Sequence, residues 1–156
     1  MQGDLEVVEF LNEVLSAELT GINQYFIHAM ICANRGYGRL AQHSRQESIE
    51  EMKHAQEVIE RILFLEGVAQ MDRYMRINVG QTVPEQHRND LALERDAVAR
   101  LRAGIDLVRR KGDEGTRLLL EKVLADEEEH VDWLEAQLQQ IEDVGLPNYL
   151  ARQIEG

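Results

Sequence analysis

Two short segments of this 156-residue chain set a carboxylate three residues ahead of an imidazole: Glu51-Met52-Lys53-His54 and Glu127-Glu128-Glu129-His130. On a helix, residues three apart lie on adjacent turns of one face, so both side chains can reach the same point. A further glutamate stands 33 residues ahead of each pair, at Glu18 and Glu94, and adding 76 to positions 18, 51 and 54 gives 94, 127 and 130. The two halves of the chain thus carry the same set, as two antiparallel hairpins related by a pseudo-twofold would. Zinc prefers closed tetrahedral N/S sites and calcium avoids imidazole. Four glutamates and two histidines that could bridge two ions better suit redox-active iron or manganese.

The elements that must position these groups are helical. Aromatic residues make up 5% of the chain and there are two prolines, while Leu, Ala, Glu, Arg and Gln dominate. All of the latter are good helix formers. Breakers and caps predict one all-α domain over 1–156, with helices at about 4–34, 39–66, 84–111 and 115–144 and a short one at 147–154. Short turns join the first pair and the last pair, and a longer segment between helices two and three can cross the length of a bundle. That is the connectivity of a ferritin-like four-helix bundle with one long crossover.

Apolar stripes spaced alternately three and four residues identify the core face of each helix. They read Leu11, Leu15, Glu18, Ile22, Tyr25, Ala29; Glu47, Glu51, His54, Val58, Ile62, Leu65; Leu91, Glu94, Val98, Leu101, Ile105, Val108; and Leu120, Leu124, Glu127, Val131, Leu134, Leu138. Every stripe is interrupted by glutamate. An ionised carboxylate in an apolar interior costs several kcal/mol unless it is paired or bound to metal, and no lysine or arginine shares these stripes. Two divalent cations would supply the missing charge. One Glu from each of two helices, with Glu-x-x-His from each of the others, is the di-iron or di-manganese carboxylate pattern. Tyr25, seven residues after Glu18, lies on the same face, as a packing residue, a hydrogen-bond partner to a ligand or an electron donor.

A net charge of -12 disfavours a nucleic-acid partner, which needs a basic patch. No apolar run reaches a membrane span. Cys32, the single cysteine, allows neither an intrachain disulfide nor a thiolate cluster. With no secretory signal at the start, the expectation is a cytoplasmic protein.

The chain resembles bacterioferritin over almost its full length. The segments that carry the likeness include Gly3-Asp4, Ile22-Asn23-Gln24-Tyr25-Phe26, Glu47 to Ala55, Glu60 to Gly67, Asp90 to Glu94, Asp126 to Leu134 and Gly145 to Leu150. The resemblance implies that Glu18, Glu51, His54, Glu94, Glu127 and His130 are ligands of a ferroxidase centre holding two iron ions, with Glu51 and Glu127 bridging. It implies a homo-oligomeric shell of about 24 subunits built from twofold dimers. It also implies a haem b shared between two subunits, with Met52 supplying an axial sulfur. Fe(II) and O2 or H2O2 would be the substrates, iron storage the function, and a ferredoxin the reductant for release. Gln46 and Glu50 stand where some relatives carry a histidine and an aspartate, leaving Glu47 and Glu50 as candidates for an inner-surface iron site. Arg45 replaces an aromatic residue common near the haem. A non-haem ferritin, another di-metal peroxidase and an inert haem-binding shell subunit are the alternatives.

Overall fold

The computed structural model describes residues 1–155. It is all-helical: α1 (Leu5–Asn34), α2 (Gly38–Phe64), α3 (Val83–Arg110), α4 (Glu114–Val144) and the short α5 (Leu146–Ala151). Side-chain caps define three of the starts. Asp4 accepts from the amides of Glu6 and Val7, Thr82 from that of Glu85 and Asp113 from that of Thr116, satisfying donors that the first turn leaves free.

The hairpins α1–α2 and α3–α4 turn alike. Gly36 and Gly112 take φ of 82° and 72°, and the next residue's amide returns to a helix carbonyl, Tyr37 to Cys32 and Asp113 to Val108. At the end of α2 the left-handed residue is Glu66, with φ 61°, and not the neighbouring Gly67. Gly67 is required for a different reason, since a Cβ there would press into Val8. After α5, the amides of Arg152 and Gln153 bond back three residues to Tyr149 and Leu150. This tighter turn ends the helix at Ala151.

The two hairpins pack with α1 against α3 and α2 against α4. The main core is built from Val7, Leu11, Leu15, Val58, Ile62, Leu101, Val108, Leu120 and Val123, among others, toward one end of the bundle. A smaller cluster of Cys32, Leu40, Val83 and Tyr149 closes the other. In α4 the core face is turned relative to the sequence stripe: Val123 is fully buried, whereas Leu124, Val131 and Leu138 are half-buried.

Between α2 and α3 the chain runs back along α1, held by a buried polar stripe of that helix. Asn12 donates to Val68 O and accepts from Gln70 N; Thr20 accepts from Met75 N, Gln24 from Asn78 N and His28 Nε2 from Gly80 N. The spacing of Asn12, Thr20, Gln24 and His28 by multiples of four aligns them on one face. A strandless segment thereby obtains partners for backbone groups that could not otherwise be buried.

Candidate di-metal site

Glu18 of α1, Glu51 and His54 of α2, Glu94 of α3, and Glu127 and His130 of α4 converge midway along the bundle. One group is Glu18, Glu51, His54 and Glu127, and the other is Glu51, Glu94, Glu127 and His130. Within each group the candidate ligand atoms lie within 4.8 Å of one another. Glu51 and Glu127 belong to both. The four carboxylates and His54 are at most 3% exposed, and His130 is half-buried.

Both imidazoles present Nδ1 to the carboxylates. His54 Nδ1 lies 3.1 Å from Glu127 Oε1 and 3.6 Å from Glu18 Oε2, and His130 Nδ1 lies 3.3 Å from Glu94 Oε1 and 3.6 Å from Glu51 Oε1 and Glu127 Oε2. Their Nε2 atoms point the other way, each 2.8 Å from a further carboxylate: Asp126 for His54 and Glu47 for His130. Such outer carboxylates fix ring orientation and leave the inward nitrogen free for a metal. The 76-residue repeat holds for the inner groups but not for these. Asp126 corresponds to Glu50, yet His130 is held by Glu47.

Burial and the charge of Glu127 push the Glu18 carboxyl up. Burial and the neighbouring carboxylates push Glu51 and Glu94 well above the ordinary range. Burial also opposes charge on Glu127, but the close approach of Glu94, His130 and His54 outweighs it and holds this carboxyl low. On His54, burial is overcome by the close Glu127 and Glu18 carboxylates, which raise it to about 11; Glu127, Glu47 and Glu94 raise His130 in the same way. Protons therefore compensate the carboxylates in the metal-free protein. Among the described residues, buried Glu18 Oε2, Glu51 Oε1, His54 Nδ1, Glu94 Oε2 and Glu127 Oε1 still have no hydrogen-bond partner, and neither does Glu47 Oε2 beside His130. Unsatisfied oxygens and nitrogens facing one another are the donor set that a pair of divalent cations requires.

Tyr25, 2% exposed, donates its hydroxyl to Glu94 Oε1 at 2.7 Å. Burial and the charges of Glu94 and Asp90 raise its hydroxyl well above the usual tyrosine range, so it stays a donor. Met52 points away from the site and is 56% exposed. Glu47 and Glu50 serve different neighbours. Glu47 turns inward to His130, whereas Glu50 accepts from Gln46 at 3.2 Å and lies 3.8 Å from Lys53. The sequence carries no signal for the role of Asp126, because nothing in its position within the Asp126 to His130 run separates it from a solvated acid.

Residues 8–144 match the family model of the ferritin-like domain. The chain is 48% identical to a bacterioferritin of Streptomyces coelicolor over 155 residues, covering 99% of this chain and 93% of the relative. It is 47% identical to a bacterioferritin of Mycobacterium tuberculosis over 152 residues, 97% and 96% of the two chains. A bacterioferritin of Brucella melitensis is 40% identical over 149 residues, 96% of this chain and 92% of the relative. Matching along nearly its whole length, with an all-helical fold and a buried carboxylate–histidine cluster, the chain belongs to the bacterioferritin family of ferritin-like proteins.

Proposed function

We propose that the protein stores iron and acts as a ferroxidase, with Glu18, Glu51, His54, Glu94, Glu127 and His130 receiving two Fe(II) ions as substrates. The observation that carries this reading is the pair of ligand groups sharing Glu51 and Glu127. A shared carboxylate holds two ions close enough for both to be oxidised by one acceptor. Two Fe(II) ions lose one electron each. One H2O2 with two protons becomes two waters, or one O2 with two protons becomes one H2O2. Pairing the electrons avoids a one-electron oxygen radical. Fe(II) binding displaces protons from the raised carboxyls and imidazoles, while Asp126 and Glu47 keep the two rings aimed inward. Tyr25 orients Glu94 and is the aromatic side chain positioned to give up an electron.

The resting place of the product would be a shell of about 24 copies with closed symmetry. Apolar side chains exposed on α1 and α2 support contacts between copies: Phe26, Ile49 and Met52 are 44%, 38% and 56% exposed. The bond from Ser48 Oγ to Ile22 O sets these two helix faces side by side. The exposed thioether of Met52, one from each of two copies, would hold a haem b between subunits. Haem b bound there would supply electron transfer for release of stored iron, accepting from a reductant such as a ferredoxin. No described helix is long and apolar enough to cross a membrane, and a cytoplasmic location accords with the proposal.

Fe(II) added to the iron-free protein should cause rapid oxygen consumption, lost in Glu18→Ala and Glu127→Ala. Unchanged consumption in both variants would remove the ferroxidase reading. A visible spectrum combined with size-exclusion mass tests the rest: a bis-methionine haem band on a particle of about 24 subunits is expected, and a colourless monomer argues against both haem and shell.

A further inference from the structure

We propose that the cavity between the start of α2, the end of α4 and α5 binds a phosphate-type oxyanion. The cavity measures about 590 Å3 and is lined by Arg39 and Arg152. None of its lining residues is Asp or Glu, in a chain that carries 29 of them. Neither arginine forms an ion pair among the described residues. The contrast with the cleft between α3 and α4 is direct: its arginines, Arg95 and Arg102, are each neutralised, by Glu135 at 3.0 Å and Glu128 at 3.2 Å. Guanidinium groups without carboxylate partners, on two residues that line one concavity, are suited to bidentate recognition of an oxyanion.

A buried relay adds a fixed donor. Gln137, 8% exposed, accepts the Tyr149 hydroxyl on Oε1 at 2.6 Å. The Tyr149 oxygen lies 3.0 Å from His87 Nε2. Burial, then the nearby His43 and His28, push His87 down to about 3, so its ring is neutral and gives one N–H to Tyr149. With its carbonyl occupied, Gln137 keeps an NH2 group that has no acceptor among the described residues, on a side chain that lines the cavity. The wall is held in place by Arg39 N donating to Gln153 O at 3.0 Å. The volume lies within the range of small-molecule sites and exceeds what a bare phosphate fills. Inorganic phosphate and a phosphate monoester share the recognised group. The inference stands independently of the iron chemistry.

Trp133, the only tryptophan, lines the same cavity and stacks on His43 with ring centroids 3.4 Å apart, so its fluorescence reports on this place alone. Iron-free, assembled protein would be titrated with inorganic phosphate and with ribose 5-phosphate at constant ionic strength, while 31P line broadening is followed in parallel. Saturable binding of either ligand is expected, at least tenfold weaker in the Arg39→Gln/Arg152→Gln double variant and unaltered in Arg95→Gln/Arg102→Gln. Tighter binding of the ester identifies an organic phosphate; equal or tighter binding of inorganic phosphate identifies the free ion. Gln137→Glu, which sets a negative charge in the cavity, should give the same loss if the double variant fails to assemble. The proposal is overturned if neither ligand saturates by either readout, or if the arginine or Gln137→Glu variants bind as the unmodified protein does.

Discussion

Tyr25 on α1 donates its hydroxyl to Glu94 Oε1 on α3 across 2.7 Å, so one helix hairpin orients a carboxylate of the other at the candidate metal site. Removing that hydroxyl in Tyr25→Phe leaves the cavity filled but Glu94 without its donor. Iron(II) oxidation should slow on the order of tenfold, equivalent to about 1.4 kcal/mol of barrier, while assembly is unaffected. Stopped-flow absorbance after Fe(II) addition measures it, and a rate equal to that of the unmodified protein would show that Tyr25 only packs.

Glu51 sits among Glu18, Glu94 and Glu127, and its carboxyl is raised by burial and by their charges. Its ionised form is therefore unfavourable without metal. Glu51→Gln should leave the metal-free protein equally stable or more stable, by up to about 3 kcal/mol, as replacements of buried charges often do. The same change should abolish stabilisation by added Co(II) or Fe(II). Denaturant unfolding with and without metal tests both halves.

Stability of the metal-free protein should fall as pH rises from about 5 to 9. Glu18, Glu51 and Glu94 have raised folded-state values, so above the ordinary carboxyl value of 4.5 the native state retains protons that the unfolded chain releases, and their contribution is lost as pH rises. His54 and His130 are raised too; their contribution is full below the unfolded imidazole value of 6.5 and is lost as pH climbs toward the folded value, about 11 for His54. Glu127, held low, contributes above the ordinary carboxyl value of 4.5 and loses its contribution only in more acidic solution. Metal binding displaces the protons and should reverse the slope. Unfolding midpoints across pH, with and without Co(II), provide the check; a midpoint that rises with pH in the metal-free protein contradicts the assignment.

His28 Nε2 accepts from Gly80 N at 2.9 Å, while Nδ1 lies 3.0 Å from Asp90 Oδ1. His28→Ala would leave a buried amide and a buried carboxylate short of partners, at a cost of roughly 2–4 kcal/mol. Faster amide exchange should be confined mainly to the crossover near Gly80. Gly80→Ala is expected to loosen the same segment, because a Cβ there would collide with the backbone of Gln86.

Met52→Leu keeps the apolar volume but removes the thioether. Haem content should fall to near zero while Fe(II) oxidation persists, because Met52 points away from the carboxylate cluster. Pyridine haemochrome assay and oxygen uptake on the same preparation separate the two properties.

The grouping of the candidate ligands was legible because helical geometry is local. A period near 3.6 puts Glu51 with His54 and Glu127 with His130 on one face whatever the rest of the chain does. The offset of 76 then exposed the two matching halves. Helix caps, turn glycines and prolines are equally local, so Asp4, Gly36, Pro84 and Gly112 marked their elements. The outer ring of the site was not legible. Whether Glu47 or Glu50 reaches His130 depends on a rotation of α2 against α4, and both carry the same side chain.

What the sequence alone determined was an all-α bundle with a repeated Glu and Glu-x-x-His set, since periodicity and charge at core positions require no partner to be known. What only the tertiary structure decided was the pairing across helices. Asp126 backs His54, Glu47 backs His130, and a polar stripe on α1 anchors the crossover. Those contacts join residues up to 83 positions apart, and their identity depends on axial shift and helix rotation set by the packing of the whole core.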